Sequence, residues 1–266
     1  MSRARRARRL VEVLPDRHAL VRAAAARVAA LARRAIRARG CFTIALAGGA
    51  TPRPLYRRLA AVPPGVIDWR CVHVFWGDER CVPPDDPRSN FRAAREALLD
   101  AVPVPPAQVH RMRGEARPAR AAAAYEALLR RRFAAPGARR DAPPGAGFDL
   151  VLLGMGRDGH LASLFPGGSA VRERVRWVLP QRVPAEPPAR LTLTPVILNA
   201  ASQVLFLVAG GAKARRLRDV LRGPRQPEVL PAQAIAPARG TVRWMVDAAA
   251  AAGLRSRGRA GGRGRR

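Results

Sequence analysis

The strongest constraint on the fold is a set of short, nearly continuous apolar runs, each followed at once by glycine. They are CFTIALA (41–47), VHVFW (72–76), FDLVLL (148–153) and VLFLVA (204–209). A strand with one wet face alternates polar and apolar residues, so runs like these belong to strands covered on both faces. Helical patterns lie between them: His18 to Arg39, ending at Gly40, then Ser89 to Asp100 with Ser89 or Asn90 as N-cap, Ala119 to Phe133, and Ala212 to Arg222. In His18–Arg39 the apolar positions are Leu20, Val21, Val28, Leu31 and Ile36. Leu191–Thr194 and Val242–Val246 read as further strands. Strands alternating with helices predict an α/β fold, a mainly parallel, Rossmann-like sheet flanked by helices on both faces.

The chain has 266 residues, enough for one large core. One domain is expected over 10–252, between Arg/Gly-rich tails at 1–9 and 253–266, with the Pro/Gly-rich stretch 136–147 as a surface loop. No apolar run nears the ~20 residues of a membrane span. The basic start MSRARRARRL leads into VEVLPDRH rather than an apolar core segment, which argues against secretion. Three cysteines without CxxC spacing fit reduced thiols, and the expected location is the cytoplasm. A monomer or small homo-oligomer is expected, with no membrane partner.

A net charge of +30 would ordinarily raise nucleic acid as a partner. Here 48 of the 49 cations are arginine, and Ala, Pro and Gly are abundant, the mark of GC-rich coding. The arginines are spread along the whole chain, and aromatics that could stack on bases make up only 5% of it. No dedicated nucleic-acid role is therefore expected, and an Arg-rich nucleic-acid-binding protein is kept as the reading from another class. The field of such a chain would draw in small anions.

Ligands of open parallel sheets bind beyond the carboxyl ends of the strands, so the chemistry should follow each apolar run. After the first comes Gly48-Gly49-Ala50-Thr51-Pro52, where glycines permit close backbone approach and Pro52 opens a helix with free N–H groups. That arrangement suits phosphate, although an ordinary strand-to-helix turn has the same composition. After the second comes Gly77-Asp78-Glu79-Arg80, which reads as a site loop or as a solvated ion pair. After the third comes GMGRDGH, three glycines in six residues that would set Asp158 and His160 near the sheet edge. Histidine is the side chain best able to take a proton from water near neutral pH. A dinucleotide reading of GMGRDG lacks the acidic residue about 20 positions on. After the fourth comes Lys213, the only lysine of the chain, where a compact ammonium at a helix start suits a phosphate.

Taken together, LAGGATP, WGDERCVPPDDPRSNF, FDLVLLGMGRDGHLASLFPG, RLTLTPVILNA, the glycine–Lys213 turn and WMVDAAAA resemble the 6-phosphogluconolactonase family. That family belongs to a larger group that includes glucosamine-6-phosphate deaminase. The resemblance spans most of 10–252 and implies hydrolysis of 6-phospho-D-glucono-1,5-lactone to 6-phosphogluconate, the second step of the oxidative pentose phosphate pathway. It implies no cofactor and no metal. It makes His160 the general base, with Asp158 ordering that corner and Arg80 holding the lactone or its oxyanion. Gly48, Gly49, Thr51, Arg190 and Lys213 would hold the phosphate, with Asp78 and Asn90 contributing to the pocket.

The deaminase is the nearer rival. Its members carry Asp-Glu-Tyr where this chain has Asp78-Glu79-Arg80, and a Phe-Asn-Glu-Pro-like continuation where it has Ala162 to Gly167. Ala50 and Leu161 depart mildly from the lactonase pattern, which favours serine and threonine there. Ser163 lies close to His160, but GxSxG is absent, so no serine nucleophile is expected.

Overall fold

The computed structural model describes residues 8–134, 147–184 and 186–254. The expected loop at 136–147 and tail at 253–266 therefore fall almost entirely outside the described residues. Strands β1 (Arg8–Leu14), β2 (Phe42–Leu46), β3 (Val72–Trp76), β5 (Leu150–Leu153), β8 (Gln203–Val208) and β9 (Thr241–Asp247) form one sheet, in the order β1-β9-β8-β5-β2-β3. Every pairing in it is parallel. Strands β4 (Asp78–Arg80), β6 (Val178–Arg182) and β7 (Ala189–Leu193) make a smaller antiparallel sheet in the order β4-β7-β6. The helices are α1 (Arg17–Arg39), α2 (Arg53–Ala60), α3 (Asn90–Ala97), α4 (Pro118–Ala134), α5 (Pro195–Leu198), α6 (Ala214–Arg222) and α7 (Ala248–Ala251).

The inner strands of the large sheet are buried on both faces, as their apolar runs require. Phe42, Ile44 and Leu46 of β2, with Leu150 and Leu152 of β5, join the core under α1, α2 and α3. Ala45, Val151 and Leu153 point the other way, into a core holding Phe75, Phe133, Phe148, Phe206 and Trp244. Each fully buried large side chain contributes roughly 1.5–3 kcal/mol. Helix α1 packs through an alanine seam, Ala24, Ala25, Ala29, Ala32 and Ala35, with Leu20 and Val28. Val21, Leu31 and Ile36, which sequence reading placed on the apolar face, are only partly buried. The small residues allow close approach to the sheet. Asp16 caps α1 by accepting from the Ala19 amide at 2.7 Å, and Gly40 ends it at φ +75°.

Three elements differ from the sequence reading. Strand β1 starts at Arg8, inside the span expected as tail, and lies at the sheet edge, where Val11 and Val13 stay exposed. The strand expected at 191–194 is β7, which ends at Leu193 and belongs to the small antiparallel sheet rather than the parallel one. Strand β4 is a strand of charged residues, fixed through its main-chain pairing with β7 rather than by an apolar face.

A buried carboxylate ties β2 to the start of β5. Asp149 accepts from the Thr43 amide and hydroxyl at 2.9 Å each and from Arg39 at 2.5 Å. Asp149→Ala would leave a buried amide and a partly buried guanidinium unmatched. The expected loss is about 3 kcal/mol in urea unfolding. A change under about 0.5 kcal/mol, the size typical of an ordinary surface substitution, would contradict this role.

On the α4 side, His73 Nδ1 lies 3.1 Å from His110 Nε2, and Phe75 stacks on His110 with centroids 4.4 Å apart. Burial, reinforced by the Arg132 charge, pushes both imidazoles down to about 4. The unfolded chain protonates them near 6.5, so between these values it binds more protons than the native state. Stability is expected to fall as pH drops from about 6.5 to about 4, tracked by the midpoint of thermal unfolding. His73→Gln/His110→Gln should flatten that slope; parallel slopes for variant and wild type would count against the pair as its cause.

Candidate active site

The carboxyl ends of four adjacent strands, β8, β5, β2 and β3, open on a cavity of about 290 Å³. Gly48, Gly49, Thr51, Asp78, Arg80, Asn90, His160 and Lys213 all line it. Of the residues singled out from sequence, Arg190 and Asp158 are not in its wall.

The glycine loop is pinned from beneath. The buried Tyr56 hydroxyl donates to the Ala47 carbonyl at 2.6 Å and accepts the Ala47 amide at 2.9 Å, and burial pushes its phenol well above the usual range. A Cβ on Gly48 would overlap the Asn90 carboxamide, and Gly49 sits at φ +93°. No side chain caps α2, which follows directly from Pro52. The loop therefore presents backbone and the Thr51 hydroxyl to the cavity.

Glu79 organises the next wall. Its buried carboxylate accepts the amides of Arg80 and Asn90 at 2.7 Å, the Phe91 amide at 2.8 Å and the Ser89 hydroxyl at 3.1 Å. Burial lifts its pKa, and the bonds from Asn90, Phe91 and Arg80 work against that lift. Glu79 thereby fastens β4 to the first turn of α3, where Ser89 is the N-cap. Asn90 in turn donates to the Asp78 carbonyl at 2.9 Å and carboxylate at 3.2 Å. The second Asp78 oxygen accepts the buried Ser163 hydroxyl at 2.7 Å. Asp78 and Ser163 thus clamp the β3 end to the turn after β5. Sequence reading singled out neither Glu79 nor Ser163 as a site residue, because a charged triplet and a serine carry no signal of burial.

The Arg80 guanidinium donates to the Arg88 carbonyl. That carbonyl is fixed by the ion pair of Arg88 with Asp86, whose carboxyl the Arg88 guanidinium and amide hold down at about 2. Arg190 stands opposite Arg80 across β4 and β7, but its guanidinium donates to the carbonyls of Pro187 and Glu186. Burial, and next the Arg80 charge, push its pKa down.

After β5 the chain turns tightly. His160 Nδ1 lies 2.6 Å from Asp158 Oδ1, which also accepts the His160 amide at 3.1 Å. A carboxylate there holds the proton on Nδ1 and leaves the Nε2 lone pair free. The ring stacks on Phe165, with centroids 4.2 Å apart. Gly159 takes φ +92°, and a Cβ on Gly156 would overlap the imidazole. Lys213 closes the cavity at the turn after β8, where Gly210, at φ +93°, gives its amide to the Asp247 carboxylate at 3.0 Å. Partial burial lowers the Lys213 pKa, Arg17 and Arg157 act in the same sense, and Asp247 opposes them.

No group of three or more His, Cys, Asp or Glu side chains among the described residues is arranged to hold a metal ion. No helix among them is long and apolar enough to cross a membrane.

A carboxylate-oriented histidine in one cavity wall with a glycine loop and cations, at the carboxyl edge of a parallel sheet, is the arrangement of an open α/β enzyme. The family model for glucosamine-6-phosphate isomerases/6-phosphogluconolactonase matches residues 15–244. A 6-phosphogluconolactonase of Nostoc sp. is 42% identical over 93% of this chain and 99% of its own length. One from Synechocystis sp. is 40% identical over 92% of this chain and 98% of its own. The solved 6-phosphogluconolactonase from Trypanosoma brucei superposes with a TM-score of 0.80 at 28% identity, covering 94% of this chain and 100% of that one. The chain belongs to the glucosamine-6-phosphate isomerase/6-phosphogluconolactonase family.

Proposed function

We propose that this chain hydrolyses 6-phospho-D-glucono-1,5-lactone to 6-phospho-D-gluconate, the second step of the oxidative pentose phosphate pathway, with His160 as the base that activates water. The observation that carries the reading is the Asp158–His160 pair, 2.6 Å apart, with its imidazole in the same cavity wall as the glycine loop and Lys213. Relatives named 6-phosphogluconolactonase at 40–42% identity over nearly the whole chain support it.

The sugar phosphate sits with its phosphate on the glycine loop, Thr51 and Lys213, and its carbonyl toward His160 and Arg80. Water attacks C1 as Nε2 takes its proton. The resulting imidazolium is balanced by Asp158, and Arg80 stabilises the oxyanion. Collapse of the tetrahedral intermediate breaks the bond from C1 to the ring oxygen, and the imidazolium returns its proton to that oxygen as the hydroxyl forms. No covalent enzyme intermediate is needed, because a lactone is already an activated ester. Asp78 and Asn90 shape the wall rather than take part. Arg190 acts through Arg80: engaged with main-chain carbonyls, it supports the strand pair that carries Arg80.

The reaction belongs to the cytoplasm and to one α/β domain, working as a monomer or small homo-oligomer on a phosphorylated lactone. The test sets two substrates side by side. Wild-type protein should release acid from the freshly made lactone and no ammonia from glucosamine 6-phosphate. Ammonia release without lactone hydrolysis would replace this reading with the deaminase.

A further inference from the structure

Arg157 stands beside the residues assigned above and has been given no role. It lines the cavity together with Gly49, Thr51 and Lys213. Its main chain is held by the turn and by Arg216, whose Nε donates to the Arg157 carbonyl at 3.4 Å while its side chain packs against Gly159. The guanidinium has no ion-pair partner among the described residues. The neighbouring carboxylates are engaged elsewhere: Asp158 with His160, Asp219 with Arg216 and Arg218, and Asp247 with the Gly210 and Ala250 amides. Arg17 adds a further positive charge from the start of α1, where it donates to the Ala50 carbonyl at 2.8 Å behind the glycine loop.

Lys213 and Arg157 thus line the cavity with the glycine loop, to which Arg17 is bonded at Ala50, and both arginine charges push the Lys213 pKa down. Like charges this close repel, and the arrangement is relieved by an anion carrying more than one charge. A phosphomonoester carries about −1.5 to −2 at neutral pH and offers three acceptor oxygens. An arginine can meet two of these oxygens at once, which a lysine cannot.

We propose that Arg157 is a specificity residue of this chain, the second cation on the substrate phosphate, and that it sets the preference for a phosphorylated over an unphosphorylated lactone. The inference rests on the lactone reading for its substrate, and on the cavity alone for its anion.

Steady-state kinetics of wild type, Arg157→Ala and Arg157→Lys on 6-phosphogluconolactone and on unphosphorylated glucono-1,5-lactone test it. In Arg157→Ala the preference for the phosphorylated substrate should fall about tenfold, with the loss carried by KM rather than kcat. Arg157→Lys should recover only part of it, because the charge returns without the two-point contact. Equal losses on both lactones, or an unchanged preference, would overturn the proposal. A second arm uses inorganic phosphate and thermal unfolding. Phosphate should raise the midpoint of wild type more than that of Arg157→Ala, and equal shifts would also overturn it. Should wild type hydrolyse neither lactone while phosphate stabilises it in an Arg157-dependent way, the lactonase reading fails and the anion site stands.

Discussion

Replacing His160 with alanine is expected to lower lactone hydrolysis by about 10²- to 10⁴-fold, the usual contribution of one well-placed general base. The residual rate would come from Arg80 and from the binding contacts, which the substitution leaves in place. The fold should survive. His160 packs on Phe165 at the cavity wall, and neither side chain belongs to the two main cores. Thermal midpoints of variant and wild type measured beside the activities separate lost chemistry from lost structure. A folded His160→Ala with wild-type kcat would remove the histidine from the mechanism.

Gly156→Ala should cost about 10²-fold in kcat, the scale expected when a reacting group is moved by about an ångström. The added Cβ would overlap the His160 ring and stand 2.6 Å from Asp158 Oδ1, so the hydrogen-bonded pair has to separate. The backbone there lies outside the left-handed region, so alanine brings no strain of its own beyond the clash. The effect should therefore fall mainly on kcat, with a smaller change in KM for the phosphorylated lactone, since the glycine loop and Lys213 lie on other strands and only Arg157 shares this turn. Wild-type kcat in Gly156→Ala would mean that the orientation of His160 by Asp158 is not needed. The two variants together separate the presence of the imidazole from its placement.

The large sheet was legible because each of its inner strands is covered on both faces and so is apolar almost throughout, as in Phe42–Leu46 and Leu150–Leu153. The first and smaller elements were not, for physical reasons that differ. Strand β1 is an edge strand with an exposed face, and its arginines read as tail. Strand β4 consists of Asp78, Glu79 and Arg80, and what makes it a strand is its main-chain pairing with β7, which has no local sequence signal. The GMGRDGH turn was legible because glycines that lower stability need a reason, and the structure supplies one at Gly156. Lys213 stood out as the only lysine among so many arginines. Glu79 was hidden because a carboxylate that accepts three amides and a hydroxyl looks, in sequence, like any solvated acid. The Arg190 guanidinium donates to the Pro187 and Glu186 carbonyls, partners that only the folded chain brings to it and that its sequence context does not signal.

The most direct test of the central claim is the decay of freshly generated 6-phospho-D-glucono-1,5-lactone, followed with wild-type protein and with folded His160→Ala. The decay rate should rise in proportion to wild-type concentration and stay close to the buffer rate with the variant. A wild-type rate equal to that of buffer, or a variant as fast as wild type, would contradict that claim.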